Sequence, residues 1–138
     1  MRVLLAIVAL FTLLGAGGAP ADDGSAQAIH EVIDRQLQAF RRDDGTGAFS
    51  YAAPVIQQQF RTPERFMRMV RRSYDPVYRP AGRSFQETRL LPGRAVQEVL
   101  LLDRKGVTWL AHYFMERQAD GSWRIAGVSL EQLPDLSA

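Results

Sequence analysis

The feature that most constrains this chain is its last third, Ala95 to Leu133. The runs Ala95–Leu102, Val107–Glu116 and Ser122–Leu133 are rich in β-branched, aromatic and leucine residues and predict three long antiparallel strands. Turn-forming clusters join them, Asp103-Arg104-Lys105-Gly106 and Gln118-Ala119-Asp120-Gly121. A fourth strand is expected near Ser84–Leu91, ahead of the Pro92-Gly93 turn. Such a sheet needs a cover for one apolar face, and the upstream chain must supply it.

That upstream chain reads as helical. Ile29, Val32, Ile33, Leu37 and Phe40, with Gln36, form a stripe at helical spacing and predict one helix over Ala26 to Arg42, capped from Asp22–Ser25 and stopped by Asp43-Asp44-Gly45. His30 flanks the stripe as a boundary residue. A short second helix follows from Thr46 to about Ala53, and Pro54 opens another turn as far as Phe60. Thr62-Pro63-Glu64 is a start signal: a hydroxyl cap, proline at the first helical position, then an acid. The helix it opens buries Phe66, Met69, Val70 and Tyr74, with Arg65, Arg68 and Arg72 on its opposite side. Asp75-Pro76 should end it, leaving Pro76–Pro80 extended. Three helical segments followed by four antiparallel strands define an α+β domain, expected as a curved sheet with helices on one side.

The first twenty-one residues stand apart. Met1-Arg2 is a positive start, Val3 to Leu14 is apolar apart from Thr12, and Ala19-Pro20-Ala21 fits a small-residue cleavage site. This is the anatomy of a secretory signal peptide, cut after Ala21, and predicts a periplasmic or secreted protein with one domain over residues 22–138. The apolar run is well short of the ~20 residues that span a bilayer, so no stable membrane anchor is expected.

Cysteine and asparagine are both absent, which excludes disulfides, thiolate chemistry and N-glycosylation. Sixteen of the seventeen basic residues are arginine, and nine of these fall between Arg61 and Arg94. A basic face of this kind attracts anions, but no aromatic–basic interleaving of a nucleic-acid module accompanies it, so no nucleic-acid partner is expected. Two histidines without cysteine make no zinc site, no glycine-rich phosphate loop follows Ala21, and no serine sits in a nucleophile elbow. Neither a metal nor a cofactor is expected.

Several residues together carry a resemblance: Gln36-Leu37-x-Ala39-Phe40, Asp43-Asp44, Ala48-Phe49, Pro54, Phe60-x-Thr62-Pro63-x-x-Phe66-x-x-Met69-Val70, Tyr74-x-Pro76-Val77 and the final Asp120-Gly121-Ser122-Trp123-Arg124-Ile125. With this order of elements the chain resembles the cone-shaped α+β superfamily of nuclear transport factor two, SnoaL-like cyclases and ketosteroid isomerase. Within it, the chain looks like a bacterial family described only as a domain of unknown function. The resemblance covers roughly Ala26 to Leu133 and implies the cone fold and a homodimer. It implies no activity, and no catalytic residue of those enzymes can be matched position by position.

Chemistry in the sheet depends on which side chains share a face. A two- or four-residue loop between the middle strands pairs Leu100 with Trp109 and sets Glu98, Leu100, Trp109, Tyr113 and Met115 on the helix-covered face; a three-residue loop reverses this sorting. In the first case Glu98 is a lone acid among aromatic walls beside the Tyr113 hydroxyl, which suits proton transfer next to a carbonyl. The plainer alternative sets Glu98 at the open sheet edge or against a helix arginine. Phe40, Phe66, Val70, Tyr74, Leu100, Trp109 and Met115 would line the pocket. Gln97, Leu110, His112 and Phe114 would form the outer, dimerising face, and Glu116, ~13 Å from His112, is too far to pair with it. The facing of Trp123 and Ile125 stays open, because Gly127 marks a place for a bulge.

Three functions compete on these residues. The first is a non-catalytic exported domain that binds a small apolar or amphipathic ligand or dimerises. The second is a proton-transfer enzyme using Glu98 and Tyr113. The third is an envelope partner protein docking through Arg65, Arg68 and Arg72.

Overall fold

The computed structural model describes residues 24–135, and the expected leader lies outside the described residues. Helix α1 spans Ser25–Arg41 and buries Ile29, Ile33, Gln36, Leu37 and Phe40 along one stripe. Its N-cap is Gly24 at φ 88°, with no side-chain cap among the described residues, and the acids of the expected cap, Asp22 and Asp23, lie outside them. Helix α2 (Gly45–Ser50) is capped by Asp44, whose carboxylate accepts the Gly47 N–H at 2.9 Å. Helix α3 is Pro54–Phe60, and α4 is Pro63–Ser73. The cap of α4 is as expected, with Thr62 Oγ1 accepting from Arg65 N at 3.2 Å. The segment expected to be extended after Asp75 instead forms a short helix α5 (Asp75–Tyr78). Pro76 sits in its first turn, where a missing N–H costs nothing, so proline restarts the helix there.

Four strands follow, β1 (Gly82–Leu91), β2 (Arg94–Leu102), β3 (Thr108–Arg117) and β4 (Trp123–Gln132), as an antiparallel meander in the order β1-β2-β3-β4. The helices cover one face, which makes the domain α+β. The core is formed by α1 stripe residues, Phe66 and Val70 of α4, and Val99, Leu101, Ala111, Tyr113, Met115 and Ile125 of the sheet. Each fully buried large aliphatic or aromatic side chain here contributes roughly 1.5–3 kcal/mol.

Loop length decides the faces. Asp103 N donates to Val107 O at 2.8 Å and Gly106 has φ 85°, so the loop between these paired residues is Arg104-Lys105-Gly106. A three-residue loop pairs Leu101 with Trp109 and Glu98 with His112. The face expected for β3 holds, with Ala111, Tyr113 and Met115 buried, whereas β2 is reversed. Ala95, Gln97, Val99 and Leu101 point inward, while Glu98 and Leu100 point outward.

Two irregularities shape the sheet. In β1, Gln86 and Glu87 lie between the pairs Phe85–Val99 and Thr88–Gln97, and so oppose Glu98 alone. In β4, Ala126 is the extra residue between Ile125 (opposite Met115) and Gly127 (opposite Phe114). Trp123 and Ile125 therefore face the core, and beyond the bulge Val128 takes over as the partner of Tyr113. At this bulge the chain entering α3 attaches to the sheet: Ile125 N donates to Tyr51 O at 2.9 Å and Ala53 N to Ile125 O at 2.8 Å.

Candidate functional site

Anchoring residues 51–53 on β4 sends α3 and α4 away from the sheet and leaves a cavity of about 410 Å³ between them. Phe40 from α1, Ile56 and Phe60 from α3, Phe66, Met69 and Val70 from α4, and Ile125 and Val128 from β4 are among its walls. Phe66 is the hub of an aromatic cluster, with ring centroids 6.0 Å from Phe40, 5.4 Å from Phe49 and 5.9 Å from Phe60. Polar lining is sparse: Gln36, Gln59, Ser73 and the Tyr74 ring with its hydroxyl. Gln36 is buried, and its amide nitrogen donates to Ala48 O at 3.1 Å. An apolar chamber of this size with few polar groups has the form of a small-molecule site.

Of the residues expected to line a pocket, Phe40, Phe66, Val70 and Tyr74 do so. Leu100 does not, because the three-residue loop turns it outward. Trp109 faces inward but lies at the far end of β3, where its indole nitrogen donates to Asp103 at 3.0 Å. Met115 is packed into the core, 2% exposed, away from the cavity. Ile56 and Val128 are among the lining residues not expected as such from the sequence. The helical turn at Val55–Phe60 pointed to the first, and the second depends on the bulge at Ala126.

Arg65, Arg68 and Arg72 are exposed on α4 and, with Met69, surround a second depression of about 190 Å³. Met69 also lines the apolar cavity, so the two adjoin. None of the three arginines has an acidic partner within 4.0 Å among the described residues. Other arginines are held. Arg83 forms a fork to Asp34 at 2.8 and 2.7 Å. Asp43, at φ 52°, accepts from the Tyr78 hydroxyl and pairs with Arg79 at 3.1 Å and Arg71 at 3.4 Å. The Tyr78 hydroxyl first, then both arginines, hold the Asp43 carboxyl below the usual carboxylate range.

The acid–tyrosine pair expected for proton transfer does not form. Glu98 and Tyr113 lie on opposite faces of the sheet, and neither lines the cavity. Tyr113 is fully buried, its hydroxyl has no hydrogen-bond partner among the described residues, and burial pushes its ionisation above the usual tyrosine range. Glu98 instead meets His112 across the strands, Oε2 to Nε2 at 3.3 Å, with both side chains partly exposed. Leu110, His112 and Phe114 do lie on the outer face as expected. Gln97 does not; it is wholly buried on the inner face. Its amide nitrogen donates to the carbonyls of Glu98 (2.8 Å), Gln86 (3.2 Å) and Glu87 (3.3 Å), and its oxygen accepts from Thr88 and lies 3.0 Å from His30 Nε2. Gln97 thus fastens the β1 bulge. His30 also stacks on Phe85 at 4.0 Å between ring centroids, which makes it more than a boundary residue. Among the described residues no group of three or more histidine, cysteine or acidic side chains could hold a metal, and no helix is long and apolar enough to cross a membrane.

Over residues 22–138 the sequence matches the family described as Domain of unknown function (DUF4864). The chain belongs to this family. The DUF4864 domain is similar in structure to a conserved protein from Planctomyces limnophilus DSM 3776, with a TM-score of 0.51 and 18% identity, covering 80% of this chain and 98% of that one. A likeness at that identity speaks for the fold alone. No curated protein matches this DUF4864 chain.

Proposed function

We propose that this protein is an exported, non-catalytic binding module that encloses a small apolar molecule in the cavity between α3, α4 and β4. The observation that carries this reading is the cavity of about 410 Å³ with Phe66 and its aromatic neighbours in the wall. Its walls offer no carboxylate or imidazole among the described residues, and the apolar surface outweighs the few polar groups, Gln36, Gln59, Ser73 and Tyr74. Helices gathered on one face of a four-stranded meander support a place in the cone-shaped superfamily. Export rests on the composition of residues 1–21.

The test is a titration with the uncharged dye N-phenyl-1-naphthylamine. Saturable fluorescence enhancement is expected, and Ile56→Trp should diminish it by filling the chamber from a helix with no fully buried residue. An absence of saturable binding would overturn the reading.

A second role, self-association through the outer face of the sheet, is favoured by one observation. That face carries Phe114 at 44% and Leu102 at 40% exposure, beside the partly exposed Leu100 and Leu110. A second copy laid over these strands would bury both residues.

A further inference from the structure

The apolar cavity and the arginine trio share a wall. Successive residues step around a helix at 3.6 per turn, which orders the arc of α4 from its buried to its exposed side as Phe66, Ser73, Met69, Arg65, Arg72 and Arg68. The first three line the cavity, and Met69 with the three arginines lines the adjoining depression. A guest seated against Phe66 and Met69 therefore has one end beside Arg65, Arg68 and Arg72.

These guanidiniums stand out in their charge environment. Arg71, Arg79, Arg83 and Arg104 each meet an aspartate. Arg65, Arg68 and Arg72 have no acid within 4.0 Å among the described residues, and Glu64 is the one acid that α4 carries. Like charges three and four residues apart on a helix repel. An anion placed among them would relieve that repulsion, and a guanidinium fork matches the two oxygens of a carboxylate or phosphate.

We infer that the cavity takes an amphipathic anion as a free monomer, its hydrocarbon body inside the chamber and its oxyanion head at the rim, held by Arg65, Arg68 and Arg72. This inference rests on the reading of the chamber as a binding site and adds the chemical class of the guest. The arginines then serve as head-group ligands, where the sequence suggested a docking surface for a partner.

Calorimetric titration of the purified protein with decanoate, decanol and inorganic phosphate tests it. Decanoate is expected to bind about tenfold more tightly than decanol, with an advantage that shrinks as salt is added. The triple variant Arg65→Gln, Arg68→Gln, Arg72→Gln should lose that advantage and bind decanol unchanged, which also shows that it folds. Ile56→Trp should weaken both amphiphiles, and phosphate should bind far more weakly than decanoate.

Equal binding of decanoate and decanol would overturn the head-group inference and leave the chamber reading standing. Failure of both to bind would overturn both. Decanoate binding untouched by Ile56→Trp, or matched by phosphate, would show an anion held on the helix surface and overturn the inference. Binding to phosphatidylglycerol vesicles that decanoate fails to displace would overturn it in favour of a membrane surface.

Discussion

The Trp109 indole nitrogen donates to one oxygen of the Asp103 carboxylate at 3.0 Å, while the other oxygen accepts from Lys105 N at 2.8 Å and Val107 N at 2.9 Å. One side chain thereby closes the three-residue loop and ties it to the inner face of β3. The Trp109 bond first, then the backbone donors, hold the Asp103 carboxyl below its ordinary value, and Asp43 and Asp120 are displaced the same way. Since these carboxyls have lower pKa values folded than unfolded, the unfolded chain binds more protons as acid is added. The stability they contribute is complete above about pH 4 and is lost as pH falls through the folded values. Urea midpoints should therefore drop below about pH 4. In Asp103→Asn the midpoint at neutral pH should be lower and the acid-induced drop smaller. An unchanged acid limb in that variant would count against Asp103 as its source.

Gln97 satisfies three backbone carbonyls at the β1 bulge. Gln97→Leu removes those donors and the acceptor for Thr88 while the site stays buried. The expected loss is about 2–4 kcal/mol in urea denaturation. A loss below about 1 kcal/mol would mean that the bulge stands without its glutamine.

Tyr113 presents the opposite case. A hydroxyl fully buried without a partner among the described residues is a desolvation cost with no return. Tyr113→Phe should raise stability by about 1 kcal/mol. A decrease of that size would show that the hydroxyl is bonded inside the domain.

For self-association, Phe114→Glu should convert a dimer to a monomer in sedimentation velocity and leave the circular dichroism spectrum unchanged. A wild-type protein that sediments as a monomer at high concentration would end the case for the outer face.

Much of the fold was legible because its signals are local. The Thr62-Pro63-Glu64 start, the stripe from Ile29 to Phe40 and the four strands depend on residues that are neighbours in sequence. The faces of β2 depended on one count, whether four or three residues turn the hairpin at Arg104, and either count fits the same letters. That count moved Glu98 from beside Tyr113 to beside His112 and exchanged the places of Leu100 and Gln97. The cavity was legible only in part. Phe40, Phe66, Val70 and Tyr74 follow from helical stripes, whereas Val128 needs the bulge at Ala126, which follows from long-range pairing with β3 and the attachment of residues 51–53.

Helix α3 supplies a cavity wall and yet contains no fully buried residue. It enters through the Ala53–Ile125 bond and leaves at Arg61, whose φ is 70°. Segments with little buried surface open at a lower free energy than the whole domain, so the amides of residues 55–60 should exchange much faster than those of α1. Equal protection in the two helices would refute this. One wall of the cavity would then breathe on a faster timescale than the rest of the fold, and a guest resting against the seven residues of α3 would feel that motion while the sheet beneath it stays closed.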